Sequence, residues 1–465
     1  MKAPRLIIAG TGSNVGKTTV TLALLAAFTA RGRIVQSFKA GPDFIDPGHH
    51  EAVTGRPSRN LDGWLLGREV NRATFIRAAA GADLSIVEGM MGLFDGSSPV
   101  SEQGSTAELA KQLEAPVLLV IDGSAMARSA AAMVEGFVRF DPMLNIVGVL
   151  FNRVNSDGHY RLLKEAVEQR MTIAVVGYLR TDQAAVIPDR HLGLVTVTER
   201  GSADLYRRLG RAAMETVDLD LIERLAGSSG EWPAAPVVPL PPHIGREISI
   251  GIAHDHAFCF YYQDNLDLLE AEGGRLIRFS PITDHELPDV DLLYLGGGYP
   301  ELYGAALAAN VPMQRAIRTF AERGGTIFAE CGGMMYLTEA IRDFEGRRYE
   351  MVGLFAAEAT MRKPGLTLGY RSVELSQPCI LGERGTTVRG HEFHYSTLNA
   401  TGDLSYVCRL TDARGEPKGP DGLLMKNTVA LYAHLHFGSQ PQVAQALVES
   451  ARQTKVSAKV GRSVG

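Results

Sequence analysis

RLIIAGTGSNVGKTTVTLALLAAFTARG, residues 5–32, reads as an apolar strand, a glycine-rich turn and a helix that closes near Gly32. Backbone N–H groups of such a turn, together with the first turn of the helix, form a cradle for phosphate. Lys17 is expected to neutralise the β and γ phosphates of ATP and Thr18 to ligate Mg²⁺, with Gly12, Asn14, Gly16 and Thr19 as further phosphate contacts. Gly10 and Gly16 bracket five residues, one more than the common phosphate loop has. Strands alternating with helical stretches continue to about residue 227, which implies a mostly parallel, doubly wound α/β sheet.

Acidic residues recur where these strands end. SFKAGPDFIDPGHH (37–50) carries Lys39, Asp43, Asp46 and His49 around Gly41-Pro42, and LSIVEGMMGLFDG (84–96) ends its strand at Glu88 with Asp95 in the loop. Side chains at the C-terminal ends of parallel strands face the ligand crevice. Two such ends supplying acids beside a phosphate loop suit Mg²⁺, which takes few carboxylates and completes its shell with water and phosphate. Asp122 ends another strand, as a second carboxylate for the metal or as a cap. Asn152 ends the next, where a turn-forming role is the plain alternative to a nucleotide contact.

From Ser228 to Arg246 the sequence becomes SSGEWPAAPVVPLPPHIGR. Proline at this density neither continues a helix nor joins a sheet ladder, so this is an extended linker. The expected division is an ATP domain at 1–227, the linker at 228–246, a second domain at 247–447 and a frayed basic tail at 448–465. In the second domain GGTIFAECGGMMYL (324–337) is a strand turning sharply into a helix at Cys331. The glycines relieve the crowding of that turn, and the helix N-terminus is expected to favour the thiolate. ALYAHLHF (430–437) offers His434 or His436 as the base. The glycines of GGGYPE (296–301) let backbone N–H groups reach a developing oxyanion, with Gly297, Gly298 and Gly332 as the donors. RGHEFHYS (389–396) reads as a loop in which His391 and His394 flank Glu392, a weak metal pattern.

At 465 residues, with 45% hydrophobic and 21% charged residues, the chain suits two or three soluble domains. A net charge of −5 gives no case for nucleic acid. Four scattered cysteines without a CxxC pair argue against a disulfide framework or zinc. No apolar run is long enough for a bilayer and the opening residues enter a strand directly, so a cytoplasmic location without membrane contact is expected.

The longer phosphate loop resembles that of dethiobiotin synthetases. GGGYPE, AECGGMMYL and YAHLHF together resemble the Triad type of class I glutamine amidotransferase. With the motifs at 37–50 and 84–96, the resemblance over nearly the whole chain is to the cobyrinic acid a,c-diamide synthase family. It implies two doubly wound domains: a P-loop, dethiobiotin synthetase-like ATP domain and a class I glutamine amidotransferase-like domain. It also implies amidation of a corrinoid carboxylic acid with ATP and glutamine. Thr18, Asp43 and Glu88 are then the metal ligands, and Lys39, Asp46, Asp95, His391 and His394 the substrate contacts. Asn152 is then a reader of the adenine edge. Cys331 is the nucleophile, with His434 preferred over His436. The wider class places Pro-Glu after its histidine, whereas Leu435-His436 stands here, so no third triad member is found at that spacing. Hydrogenobyrinic acid and nickel sirohydrochlorin are alternative substrates, and a homodimer is left open. A MinD/ParA-like ATP switch carrying an inactive glutaminase-fold module would need a membrane-targeting helix or a DNA-binding patch, and the basic tail has no apolar face.

Overall fold

A computed structural model describes residues 3–181, 189–190, 193–194, 203–232 and 247–463. The chain divides into two compact units, 1–238 and 239–465.

The first unit is built on seven parallel strands: β1 (Arg5–Gly10), β2 (Val35–Ala40), β3 (Arg59–Leu61), β4 (Leu84–Glu88), β5 (Val117–Asp122), β6 (Ile146–Asn152) and β7 (Ala174–Tyr178). Their order is β3-β2-β4-β1-β5-β6-β7. Period-two alternation sends Ile7, Phe38, Val87, Leu119 and Phe151 into one core and Leu6, Ile8, Val35, Ile86, Leu118 and Val120 into the other. Both faces are therefore covered, and β1, β2 and β4 are buried along their whole length. Helix α1 (Lys17–Ala30) follows the phosphate loop and lays Val20, Leu24 and Phe28 on the second core. Helix α2 (Ile45–Thr54) follows β2. In this order β1 lies between β4 and β5, so the phosphate loop is flanked by the ends that carry Glu88 and Asp122.

The stretch expected as linker begins inside this unit. Trp232 is buried against Phe75 and lies under the guanidinium of Arg5 at 4.3 Å. Arg5 donates in turn to the carbonyls of Leu113 (2.8 Å) and Gly230 (3.1 Å). Residues 233–246 of that stretch lie outside the described residues.

The second unit contains a ten-stranded sheet. Five strands are parallel: Gly274–Phe279, Ile248–Ala253, Leu292–Leu295, Thr326–Glu330 and Thr428–Leu431, in that spatial order. The sheet continues antiparallel through Pro417–Met425, Tyr406–Thr411, Thr367–Leu375, Thr387–His394 and His434–Leu435. The parallel half is the expected doubly wound portion. The antiparallel half adds the strand Thr387–His394, where the sequence reading has a loop; its polar residues hide the buried alternation. The tail does not fray at 448: one helix runs from Gln442 to Ser463 and buries Val443, Leu447, Val448 and Ala451. No helix among the described residues is long and apolar enough to cross a membrane.

Candidate functional site

In the first unit the expected side chains converge at the ends of β1, β2 and β4. Gly16 caps α1 at φ 91°, a left-handed conformation that glycine adopts without strain. Asn152 lies so close that any side chain at Gly16 would overlap its amide. Its Nδ2 donates to the Val15 carbonyl at 3.0 Å, so Asn152 braces the phosphate loop from the end of β6. Lys17 reaches back to the Gly12 carbonyl (3.0 Å), and Asn14 holds a left-handed turn at φ 62°. Thr19 follows in the first turn of α1.

Thr18 donates to Glu88 Oε1 at 2.6 Å and lies 3.5 Å from Asp46 Oδ2. Lys39 Nζ stands 3.3 Å from Asp46 and 3.7 Å from Glu88. Burial works against the carboxylate of Glu88, but Lys39 and hydrogen bonds from His50 and Thr18 prevail and hold it at about 2. Burial likewise opposes charge on Lys39, and Glu88, Asp46 and Asp43 raise it regardless. Asp46 is pushed well up by its burial and by Asp43 and Glu88. The result is a hydroxyl and an ionised carboxylate side by side, hard donors of the kind Mg²⁺ takes. Among the described residues no group of three or more His, Cys, Asp or Glu is arranged to hold a metal ion. Such an ion would depend on phosphate oxygens and water for the rest of its shell.

Several of these side chains have local partners. Asp43 Oδ1 accepts the backbone N–H groups of Ile45 (2.8 Å) and Asp46 (3.0 Å), capping α2, and it is Asp46 that touches Thr18. Asp95 accepts Gly92 N–H at 2.8 Å within its own turn, and Asp122 is a cap for Ser124 that pairs with Arg153 at 2.5 Å. His49 meets the Tyr206 hydroxyl at 2.7 Å, while His50, passed over in the sequence, meets Glu88 Oε2 at 2.8 Å. The spacing of Asp46 and His50, four apart on a helix, is the signal that would have found it.

In the second unit Cys331 ends the strand Thr326–Glu330 at φ 45°, ψ −104°, a strained conformation for any residue with a side chain. That strand pairs in parallel with Thr428–Leu431, Glu330 opposite Leu431, and Cys331 N–H donates to the Leu431 carbonyl at 2.7 Å. Cys331 and the segment Tyr432–His434 therefore leave neighbouring strands at the same end. The loop of Gly297 and Gly298 fits against both. A methyl on Gly332 would lie 3.0 Å from Gly298 N, and one on Gly297 would overlap the His434 ring. His436 is engaged elsewhere: its N–H donates to the Arg389 carbonyl (2.9 Å), its Nδ1 accepts Gly438 N–H (3.2 Å), and its ring packs on Tyr262.

The charge states correct one expectation. Burial pushes the Cys331 thiol far up, helped by Glu301, and outweighs the Gly332 N–H. A helix of six residues, Gly332–Leu337, does not offset that desolvation. Burial also pushes His434 down to about 3. The resting pair is thus a thiol and a neutral imidazole. His391 and His394 lie on a strand and not on a loop. Both are buried on the strand Thr387–His394, His391 stacked 5.1 Å from His434 with Nδ1 3.0 Å from the Tyr262 hydroxyl, and His394 stacked 4.0 Å from Tyr432. Tyr262 is part of this cluster.

Residues 6–194 match the CobQ/CobB/MinD/ParA nucleotide binding domain, and residues 249–442 the CobB/CobQ-like glutamine amidotransferase domain. A cobyrinate a,c-diamide synthase of Priestia megaterium is 42% identical over 98% of this chain and 98% of its own length. Those of Salmonella typhimurium (42%; 96% and 98%) and Archaeoglobus fulgidus (40%; 98% and 99%) are similarly related. At this identity over almost the full length of both partners, with each half matching its own domain, the chain belongs to the cobyrinate a,c-diamide synthase family.

Proposed function

We propose that this protein amidates the a and c acetate carboxylates of cobyrinic acid, using ATP and ammonia released from glutamine. The observation that carries the reading is the presence, in one chain, of a phosphate loop joined to the Thr18–Glu88–Asp46–Lys39 cluster and of Cys331 and His434 following the ends of adjacent strands, with a glycine loop against His434 and Gly332.

On this reading His434, neutral at rest, takes the thiol proton as Cys331 Sγ attacks the side-chain carbonyl of glutamine. N–H groups of Gly297, Gly298 and Gly332 receive the oxyanion. Collapse of the adduct passes the proton to the leaving nitrogen, giving ammonia and a thioester that water hydrolyses to glutamate. His436, tied to its turn, leaves the base role to His434. In the first unit the substrate carboxylate attacks the γ-phosphorus of ATP, forming an acyl phosphate and ADP, and ammonia then displaces phosphate. Lys17 and Lys39 offset the negative charge gathered there. Thr18 and Glu88, with Asp46 beside them, would hold Mg²⁺, which supplies neutralising charge to the phosphate oxygens.

The test is to incubate the protein with ATP, Mg²⁺, glutamine and, separately, cobyrinic acid, hydrogenobyrinic acid and nickel sirohydrochlorin, reading amidation by mass. Diamidation of cobyrinic acid is expected, and Cys331→Ala should lose glutamine use while keeping amidation from added ammonia. Unchanged glutamine-dependent turnover in that variant excludes Cys331 as nucleophile, and inert cobyrinic acid overturns the substrate.

A further inference from the structure

We infer that Glu330 is a positioning residue for the base His434, replacing the acid that follows the histidine in the wider glutaminase class. The inference rests on the reading of Cys331 and His434 as the glutaminase pair.

Glu330 is 2% exposed and directly precedes Cys331. Its Oε1 accepts the N–H of Leu435 at 2.7 Å, and its Oε2 accepts the hydroxyl of Tyr294 at 2.7 Å. The strand that aims the nucleophile thus holds, through its last side chain, the backbone beside the base. Strand alternation sets Glu330 on the same face as Phe328, whose core also contains Leu435 and Phe437. A carboxyl at an aliphatic position is costly to bury unless its oxygens are satisfied, and both are.

Glu330 also completes a set of contacts around one short segment. Asp421 accepts the N–H groups of Tyr432 (3.0 Å) and Ala433 (3.3 Å). Asn265 donates to the Leu435 carbonyl and accepts Phe437 N–H, both at 2.7 Å. Backbone groups on either side of His434 are therefore fixed by buried side chains from three other elements. Orientation of the imidazole can then come from its own backbone, without an acid at the following positions. Of the three holders, Glu330 alone is continuous with the nucleophile, so the separation of thiol and imidazole is set within a single strand end.

The test compares Glu330→Leu, which fills the space but accepts no hydrogen bond, with Glu330→Gln, which keeps an acceptor for Leu435 N–H. Wild type and Cys331→Ala are run beside them. Glutaminase kcat in Glu330→Leu should fall about 100-fold, the scale of a base displaced by about 1 Å, with KM for glutamine little changed. Ammonia-dependent amidation should persist, and Glu330→Gln should stay close to wild type. Glu330→Leu with wild-type glutaminase activity overturns the inference, as does Glu330→Gln impaired as much as Glu330→Leu. Should Glu330→Leu fail to fold, the glutamine variant decides: near-wild-type kcat supports the inference and a loss of about tenfold or more refutes it. If glutamine use in the wild type survives Cys331→Ala, the underlying reading has failed and the inference falls with it.

Discussion

Replacing Gly297 with alanine adds one methyl group at the point where the glycine loop meets the base. Gly297 does not hold a positive φ, so alanine meets no backbone obstacle. The obstacle is the imidazole: the new carbon would overlap Cε1 of His434 and lie only 3.2 and 3.3 Å from its ring nitrogens. His434 is 1% exposed, so the ring has no solvent to retreat into. Restoring an ordinary carbon–carbon separation of about 3.5–4 Å requires a relative shift on the order of 1 Å. Overpacking of that size costs about 1–3 kcal/mol of stability, which a domain of this size tolerates. Misplacing a base by the same distance costs about 100-fold in rate. Glutamine-dependent amidation, followed by mass, should fall by that factor in Gly297→Ala while ammonia-dependent amidation, which the proposed mechanism places in the first unit, is retained. His436→Asn, which keeps an acceptor for Gly438 N–H, should preserve glutamine use. Wild-type glutamine turnover in a folded Gly297→Ala protein would refute both the contact and the choice of His434.

Two further outcomes follow from the buried carboxyls. Glu88→Gln removes the charge opposite Thr18, Lys39 and His50, and should lower amidation by roughly 100-fold or more with glutamine and with ammonia alike; ammonia-driven turnover near wild type at ordinary Mg²⁺ would contradict the role given to Glu88. Burial raises Glu330 from 4.5 to about 8, so the folded chain retains a proton that the unfolded chain releases, and stability falls as pH rises from about 4.5 to 8. The gap, at 1.36 kcal/mol per pH unit, caps this contribution at about 5 kcal/mol. Denaturant unfolding of wild type and Glu330→Gln at pH 5 and 8.5 should show the variant gaining relative stability at the higher pH, and a pH-independent difference would count against it.

What the sequence discloses and what it conceals divide along chain distance. The turn at Gly10–Gly16 and the elbow at Cys331 are legible because a few consecutive residues dictate their backbone. Glu88 is legible because a parallel strand delivers its last side chain to a known edge. The pairing of Glu330 with Leu435 joins residues 105 apart, and that of Asn265 with Phe437 joins residues 172 apart. No local pattern marks either, and a glutamate after TIFA reads only as the end of a strand. His391 and His394 mislead for the related reason that a charged strand resembles a loop until its partners are known.

The thiolate expectation fails on magnitude. A short helix contributes a few tenths of a kcal/mol up to about 1 near its first turn, whereas burial of a thiol in this core raises its pKa far beyond what that field returns. The same desolvation that keeps Cys331 protonated keeps His434 neutral, so neither partner is charged before the substrate arrives. On the proposed mechanism, charge separates only when glutamine's carbonyl is in place to receive the sulfur and the glycine N–H groups to receive the oxygen. The geometry that couples them therefore matters more than their resting ionisation, and that coupling runs through the strand end at Glu330.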